Sequence, residues 1–359
     1  MHLLLFNLAT DAGDPILGFT TRWVAALAKR VKSIDVITMR AGRIEVPSNV
    51  RVYSVGKEKG YSEPRRVLEF YRHLFRILRE RRIDVCFSHM IPEFAILAAP
   101  VLKAKRIPII TWYAHRQVTT RLKLAHHLSD RMVSVNESSY PYRHDKFTPL
   151  GHGIDTDLFS PDTTEPEKPP LLLSVGRLSP IKDLMTLIEG VHLLQQRGHK
   201  FRCALVGDAP ERDKAYAEAV RQRVRELSLD GVVQFVGAIP NAEVAQWYRR
   251  CLAHINLCPT GALDKAVLEA MACGKPSLVA NEGFRETLGC WSHQLLFRHG
   301  NAKDLADKLA SLLNMSEAER QAMGQALRRS VVEQHSLGRL ADNLVALFET
   351  LLSRRGKQK

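Results

Sequence analysis

Two basic residues follow a short apolar run in the second half of the chain. The run Leu171–Val175 leads through Gly176 into a loop that carries Arg177 and Lys182, and Asp183 is placed to begin a helix. Both cations should lie at the carboxyl end of a strand, beside a helix start, where open α/β sheets bind ligands. Two cations and a helix dipole suit a diphosphate. The alternative is that they are two solvated loop cations.

A second loop carries a glycine, an acid–base pair and, further on, a glutamate. Gly261, Ala262, Asp264 and Lys265 precede a short run of small apolar residues in which Glu269 lies about one helical turn along. A carboxylate in such surroundings needs a partner. A vicinal diol, such as a ribose, would offer it two donors. The alternative partner is Lys265, four residues earlier on the same helix.

The segment from Asp155 to Asp157 resembles the Asp-x-Asp metal site of some sugar-transferring enzymes. It has no further ligand cluster around it, so we expect neither a metal ion nor a bound cofactor. The chain also lacks a GxGxxG after its first apolar run and has no GxxxxGK[ST]. These absences argue against a dinucleotide oxidoreductase and a P-loop enzyme.

The elements that must position these residues alternate between short apolar runs and helical stretches, such as 20–31 and 67–81. The runs predict six strands before residue 160, at HLLLF, DVITM, RVYSV, DVCFSH, PIITWY and RMVSV, and five after residue 170, at LLLSVG, CALVG, VVQFVG, HINLC and PSLVA. This alternation predicts mostly parallel sheets with helices on both faces. A polar segment with four prolines at 160–170 interrupts the series, which then resumes. We therefore expect two facing doubly wound Rossmann-like domains, with a C-terminal helix packing back across them. The predicted boundaries are 1–155 for the first domain, 156–170 for a linker, 171–335 for the second domain, and 336–359 for the C-terminal helix and basic tail.

The net charge of +14 favours an anionic binding partner, which could be a nucleic acid, an anionic membrane surface or a phosphorylated small molecule. One basic cluster, at 72–82, surrounds an apolar stripe of Tyr71, Leu74, Phe75 and Leu78, which is typical of an amphipathic basic helix. It could contact a membrane or be a solvated helix face. No apolar run reaches the roughly 20 residues of a membrane span. The six cysteines form no CxxC pair, so we expect a cytoplasmic protein, peripheral on the inner membrane face if the helix binds lipid.

Several motifs in order resemble the retaining glycosyltransferases of family four, which have the GT-B fold. The donor half contributes VGRLSPIKD from Val175, VGD from Val206, VQFVGAIP from Val233 and LEAMACGKP from Leu268. The first half contributes TWYAH from Thr111 and LSDRMVSVNES from Leu128, and GHGIDTDLF follows from Gly151. The resemblance covers nearly the whole chain and implies a GT-B glycosyltransferase with its donor site in the C-terminal half.

The resemblance also implies roles for individual residues. Arg177 and Lys182 would bind the donor diphosphate, and Glu269 would bind the ribose hydroxyls. The donor site would further include Gly207, Gly261, Ala262, Asp264 and Lys265, and the backbone of Gly237, Ala238 and Ile239 would receive the base. His115 would face the transferred sugar, although His89 also ends a strand and is the alternative. Gly13 and Gly18 would shape the acceptor-side loop. The family often has a glutamate where this chain has Gly261, so the chain looks like an Asp-Lys variant of the donor motif.

The predicted reaction moves a sugar from a nucleotide sugar to a glycan or lipid-linked acceptor hydroxyl with retention and without metal. A UDP-sugar is favoured over a GDP-sugar, and a lipid-linked or envelope acceptor would fit a membrane-bound helix. One alternative is a nucleotide-sugar 2-epimerase of the same architecture, which would release UDP and a sugar from the donor alone. Another is a basic nucleic-acid-binding protein, but the sequence shows no recognised module for nucleic acid, and we expect no such partner.

Overall fold

The computed structural model describes residues 1–14, 17–115 and 117–356. The strands, in chain order, are β1 (His2–Asn7), β2 (Ser33–Thr38), β3 (Val50–Ser54), β4 (Val85–His89), β5 (Ile109–Trp112), β6 (Arg131–Ser134), β7 (Phe147–Pro149), β8 (Leu171–Val175), β9 (Arg202–Val206), β10 (Val233–Gly237), β11 (Ala253–Asn256) and β12 (Ser277–Val279). The helices are α1 (Phe19–Ala28), α2 (Glu63–Glu80), α3 (Pro92–Ala104), α4 (Thr120–Leu128), α5 (Leu184–Gln196), α6 (Lys214–Glu226), α7 (Asn241–Arg250), α8 (Lys265–Ala272), α9 (Arg285–Leu288), α10 (Ser292–Leu295), α11 (Ala302–Asn314), α12 (Glu317–His335) and α13 (Leu337–Gly356).

The chain divides into two compact units. The first comprises residues 1–153 and 337–359, and the second comprises residues 154–336. The proline-rich segment 160–170 therefore belongs to the second unit, and the chain passes between units at 153–154 and again at 336–337.

The first unit contains a parallel sheet of seven strands in the order β3-β2-β1-β4-β5-β6-β7. Its central strands are almost continuously apolar and are buried on both faces, as parallel strands covered by helices must be. The sequence predicted the first six strands. It missed β7, whose three residues are too few to give an apolar pattern. The predicted doubly wound α/β fold is confirmed.

The second unit contains a parallel sheet of five strands in the order β10-β9-β8-β11-β12. All five strands fall in the predicted runs. Helix α5 begins directly after Asp183, as expected, but the side chain of Asp183 does not cap it. The N–H of Leu184 donates instead to the hydroxyl of Tyr216, 2.7 Å away.

The helical C-terminal region serves both units. Helices α11 and α12 belong to the second unit, whereas α13 belongs to the first and packs on α1. Leu344 and Phe348 of α13 share a buried cluster with Trp23 and Leu27. Arg30 fixes the register, because its Nε lies 2.6 Å from the carboxylate of Asp342. The C-terminal helix, which was predicted to pack back across the domains, thus packs on the first unit.

Helix α2 differs from its predicted form. It begins at Glu63, where Pro64 occupies the first turn, rather than at Val67. Its buried face consists of Phe70, Leu74 and Ile77, and Phe75 points outward with 54% of its surface exposed. The predicted apolar stripe included both Leu74 and Phe75, and the structure shows that it was wrong for Phe75. Across the described residues, no helix combines the length and apolar character that crossing a bilayer demands.

Candidate functional site

The order of strands in the second unit creates a crevice between the loops that follow β8 and β11. These two strands are neighbours, but the chain leaves them toward opposite sides of the sheet, toward β9 and β12. Such a point of reversal at the carboxyl ends of parallel strands is where open α/β sheets hold ligands. The first loop carries Arg177 and Lys182, and the second carries Asp264. The two predicted loops therefore meet at one place.

An ion pair joins the two loops. The ammonium of Lys182 contacts the carboxylate of Asp264. The same Oδ2 accepts a hydrogen bond from Nδ2 of Asn256, 2.9 Å away, and Oδ1 accepts one from the N–H of Ala266, 3.2 Å away. Asp264 is thus the N-cap of α8 as well as the partner of Lys182. The pairing fixes the Lys182 side chain at the end of β8.

Both members of the pair are charged. Burial lowers the pKa of Lys182, but the Asp264 carboxylate outweighs burial and raises the pKa overall. Burial alone would raise the pKa of Asp264, yet the Lys182 ammonium and the hydrogen bonds hold that pKa well below its usual range. The crevice therefore contains a fixed cation whose charge is offset by one carboxylate.

Two glycines leave room for the Lys182 side chain and for the loop that carries it. Gly176 has φ of +146°, and a Cβ at this position would lie 2.7 Å from Cε of Lys182. Gly207, at the end of β9, has φ of +134°, and a Cβ there would lie 2.0 Å from the carbonyl oxygen of Gly176. Any side chain at Gly207 would collide with the backbone that turns toward the site. The role of the predicted donor-site residue Gly207 in this structure is close packing.

Arg177 differs from Lys182 in its surroundings. Its side chain is exposed, and its guanidinium forms no ion pair with any carboxylate in the part of the chain that the structure describes. A planar guanidinium in this state retains its full capacity for bidentate binding of phosphate oxygens. The crevice thus offers one unpaired cation next to one paired cation.

Glu269 lies one turn into α8 in partly buried surroundings. The hydroxyl of Tyr248 donates to Oε2 of Glu269 over 3.3 Å. Burial raises the pKa of Glu269 to about 7, although Lys265 and hydrogen bonds oppose the shift. Burial also lowers the pKa of Lys265, and the charge of Glu269 opposes that shift. The two side chains therefore influence each other, as the intrahelical alternative requires, while the carboxylate remains able to accept further donors.

The glycine-containing loop before α8 is held by Asn281. The side chain of Asn281 is completely buried. Its Nδ2 donates to the carbonyl of Ala262 over 3.1 Å, and its Oδ1 accepts from the N–H of Gly261 over 3.3 Å. The predicted donor-site residues Gly261 and Ala262 are thus kept in place through their backbone.

The turn after β10 supplies the last predicted donor residues. Gly237 has φ of +85°, and its carbonyl accepts the N–H of Gly207 over 2.8 Å. Ala238 is exposed, and Ile239 is partly buried against the core of the unit. This turn lies two strands away from β8 in the sheet order, and its backbone borders the same carboxyl edge.

The histidine and glycine candidates of the first unit lie at the carboxyl edge of its own sheet. His89 ends β4 and is buried among the rings of Phe19, Trp23, Phe87 and Trp112. His115 follows β5, is exposed, and contacts the ring of Tyr113 edge-on. Of the two, only His115 presents its ring to solvent.

Gly13 and Gly18 belong to the loop that follows β1. The N–H of Gly13 donates to Oδ1 of Asp11 over 2.9 Å, and the N–H of Gly18 donates to the carbonyl of Asp14 over 3.0 Å. Gly18 directly precedes α1. Both glycines therefore belong to the turns that lead into that helix.

Sequence reasoning missed four residues of the second unit. Asn256 and Asn281 position the loop before α8, and Tyr248 contacts Glu269. His254 is completely buried in β11, two residues before Asn256. Burial lowers its pKa to about 3, so its imidazole is neutral. Asn256 and Asn281 could have been suspected, because each is a polar residue at the end of a predicted apolar strand. Tyr248 and His254 lie inside α7 and β11 and give no such signal.

Asp155 has a local structural role. Its Oδ1 accepts the N–H of Leu158 over 3.1 Å and that of Asp157 over 3.3 Å, so the carboxylate closes a turn. Among the described residues, no three His, Cys, Asp or Glu side chains are grouped so that they could hold a metal ion.

Comparison with protein families gives two matches. The family described as "Glycosyl transferases group 1" matches residues 155–330, and that described as "Glycosyl transferase 4-like" matches residues 11–136. Among curated proteins, a D-inositol 3-phosphate glycosyltransferase of Kribbella flavida is 27% identical over 48% of this chain and 44% of its own length. A sulfoquinovosyl transferase of Arabidopsis thaliana is 27% identical over 49% of this chain and 34% of its own length. The chain thus matches less than half the length of these relatives.

Solved structures match over the whole chain at low identity. A glycosyltransferase from Rickettsia africae has a TM-score of 0.74 at 17% identity, and the match covers 98% of each chain. The Anabaena protein HepE in complex with UDP has a TM-score of 0.75 at 16% identity, covering 98% of this chain and 100% of the other. These likenesses establish the fold. The two family matches, which together take in most of the chain, show that it belongs to the glycosyltransferases of group 1 with a 4-like N-terminal half.

Proposed function

We propose that the protein transfers a sugar from a nucleotide sugar, of the UDP type, to a hydroxyl of a glycan or lipid-linked acceptor with retention of configuration. The observation that carries the proposal is the ion pair that joins Lys182, on the loop that also carries Arg177, to Asp264 at the start of α8, at the reversal point of the second sheet. Family membership agrees with it. The solved neighbour from Anabaena, described in complex with UDP and with UDP-glucose, favours uridine as the base.

In this proposal the diphosphate binds between Arg177 and the N-terminus of α8. Arg177 is exposed and unpaired within the described residues, so it can bind two phosphate oxygens without breaking an existing contact. Lys182 contributes a second cation that Asp264 already orients. The amide groups at the start of α8 add a dipole of the right sign. As the glycosidic C–O bond breaks, these groups stabilise the negative charge that develops on the leaving diphosphate.

The nucleoside would be held by Glu269 and by the turn at Gly237, Ala238 and Ile239. Glu269 would accept hydrogen bonds from the two ribose hydroxyls, and Tyr248 would orient the carboxylate. The exposed backbone at Ala238 could pair with the base edge. The acceptor hydroxyl would attack from the face that the diphosphate leaves. That stereochemistry, and the assignment of His115 to the transferred sugar, rest on the family resemblance.

The experiment is a panel of UDP- and GDP-sugars with the full-length protein, measured by release of nucleoside diphosphate. Acceptors with lipid-linked or glycan hydroxyls are added in parallel, and the anomeric configuration of the product is read by NMR. The proposal expects diphosphate release that depends on the acceptor and a product with the donor's configuration. Release of UDP and a C2-inverted sugar from donor alone would support the epimerase instead. Absence of both with every donor would overturn the proposal.

A further inference from the structure

The outward face of α2 combines arginines with large apolar side chains. Leu68 and Phe75 are 68% and 54% exposed, and they lie seven residues apart on one side of the helix. Arg65, Arg72 and Arg79 occupy the intervening positions of the same face, at spacings of three, four and seven residues. Single exposed apolar residues are ordinary, but a row of them flanked by cations along one helix is an amphipathic pattern typical of membrane surfaces.

The arginines of α2, and Arg81 directly after it, differ in their partners. Arg66 contacts Glu63 over 3.6 Å, and Arg72 contacts Glu69 over 3.4 Å. Arg76 pairs with Glu80 over 2.8 Å, and Arg81 donates to the hydroxyl of Ser33 over 2.7 Å near the buried Asp35. These two serve the fold. Arg65 lies over the ring of Tyr61, 3.5 Å from its centroid, and neither Arg65 nor Arg79 forms an ion pair with any carboxylate in the described residues. The outward face therefore retains unneutralised charge at Arg65 and Arg79, while Glu69 partly offsets the charge of Arg72.

Arg79 connects this face to a basic groove at the end of the helix. Its charged lining consists of six bases and three acids: Arg79, Arg81, Arg82, Lys103, Lys105 and Arg106, with Glu80, Asp84 and Asp130. All three acids have partners in the fold. Asp84 accepts the N–H of His2 over 2.7 Å, Asp130 accepts that of Ile109 over 2.8 Å, and Glu80 pairs with Arg51 over 2.7 Å. Arg82, Lys103 and Lys105 are exposed and have no such partner within the range the structure describes. The positive charge is thus available to an external anion.

The position of the groove separates it from the proposed chemistry. Its residues precede β4 and β5, so they lie at the amino end of the first sheet, whereas His89 and His115 follow the same strands at the carboxyl end. We propose that Leu68, Phe75, Arg65, Arg72 and Arg79, with the adjoining groove, form a docking surface for an anionic lipid bilayer.

A bilayer fits this surface better than a nucleic acid does. Phosphate headgroups would pair with the arginines and lysines, while Leu68 and Phe75 would enter the boundary between headgroups and acyl chains. An RNA or DNA backbone would satisfy the cations but would leave the aliphatic Leu68 without a partner. The inference does not depend on which donor the second unit binds.

The experiment is co-sedimentation of the full-length protein with vesicles of phosphatidylglycerol and phosphatidylcholine, at low and at physiological salt. Replacement of Arg72, Arg79 and Arg82 by Gln should weaken binding by roughly fivefold per cation, hence on the order of a hundredfold in total. Leu68→Ser and Phe75→Ser should each weaken it by roughly tenfold. Pure phosphatidylcholine vesicles should bind the parent protein weakly.

Matched controls keep the test sharp. The charge control replaces Arg212, Lys303 and Arg329 by Gln, and all three are exposed on the second unit. It removes the same total charge and should leave vesicle binding near that of the parent. Leu124→Ser removes an exposed leucine from α4 and should have little effect. Circular dichroism and a cooperative thermal unfolding transition establish that each variant is folded. The proposal is overturned if the test and control variants lose vesicle binding equally, or if the parent protein does not bind anionic vesicles at low salt. It is also overturned if an oligonucleotide binds as tightly as the vesicles do and Leu68→Ser leaves that binding unchanged.

Discussion

Replacing Asp264 by Asn tests whether the ion pair keeps the Lys182 ammonium in position to bind phosphate. Asn keeps the shape and can still cap α8, so the change removes chiefly the negative charge. Breaking a buried pair costs about 3–5 kcal/mol, because the remaining charge loses its partner. The side chains of Lys182 and Asp264 retain 14% and 21% exposure, so we expect the low end, about 3 kcal/mol. At about 2–4 °C per kcal/mol, the melting temperature without ligand should fall by about 6–12 °C.

UDP should recover much of that loss. In the parent protein Asp264 both neutralises Lys182 and repels a diphosphate, whereas in the variant the diphosphate becomes the only anion available to the ammonium. The rise in melting temperature on adding saturating UDP should therefore be larger for Asp264→Asn than for the parent. Uridine, which lacks phosphates, should produce no such difference. Thermal unfolding monitored by fluorescence measures all of these quantities.

The matched control is Asp230→Asn, which removes the same charge from an exposed position of the second unit. It should change neither the ligand-free melting temperature nor the response to UDP. The reasoning is refuted if Asp264→Asn is as stable as the parent without ligand. It is equally refuted if the stabilisation by UDP is no larger in the variant than in the parent.

Three further predictions concern the same site. Burial raises the pKa of Glu269 to about 7, and ribose hydroxyls favour the carboxylate. Affinity for UDP-glucose, whose phosphates stay fully ionised in this range, should therefore rise about tenfold from pH 6 to pH 8, and Glu269→Gln should abolish this slope in calorimetric titrations. Lys265→Ala should weaken UDP binding with the ligand-free melting temperature unchanged or higher if Lys265 meets the diphosphate; lower stability with unchanged affinity would make it only the partner of Glu269. Turnover should survive EDTA, and complete loss with rescue by Mn²⁺ would return Asp155 and Asp157 to consideration as ligands.

The fold could be predicted because the pattern of short apolar runs and helical stretches is strong along the whole chain. Parallel strands buried on both faces leave that pattern, and it located eleven of the twelve strands. The exception, β7, has only three residues. The face of α2 could not be predicted reliably, since Leu74 and Phe75 are equally apolar and only the packing partners decide which one is buried.

The candidate site was predictable where it depends on the ends of strands. Arg177, Lys182 and Asp264 lie in the loops that follow two strands, and a parallel sheet brings such loops to one edge. The pairing of Lys182 with Asp264 could not be predicted, because it depends on the order of β8 and β11 in the sheet. Tyr248 was missed for the same reason: a tyrosine inside an amphipathic helix looks like any core residue until its neighbour is known.

The most direct test of the account is a calorimetric titration of UDP into the full-length protein, its Arg177→Ala variant and the control Arg212→Ala. Arg177 is the exposed cation to which we assign the diphosphate, whereas Arg212 is also exposed on the same unit and, among the residues that the structure describes, pairs only with Asp213. Loss of charge-assisted hydrogen bonds should cost about 1.5–3 kcal/mol, or roughly tenfold to a hundredfold in affinity for UDP. The account predicts that loss for Arg177→Ala and parental affinity for Arg212→Ala. Parental affinity in both variants, or no binding of any nucleoside diphosphate by the parent, would contradict it.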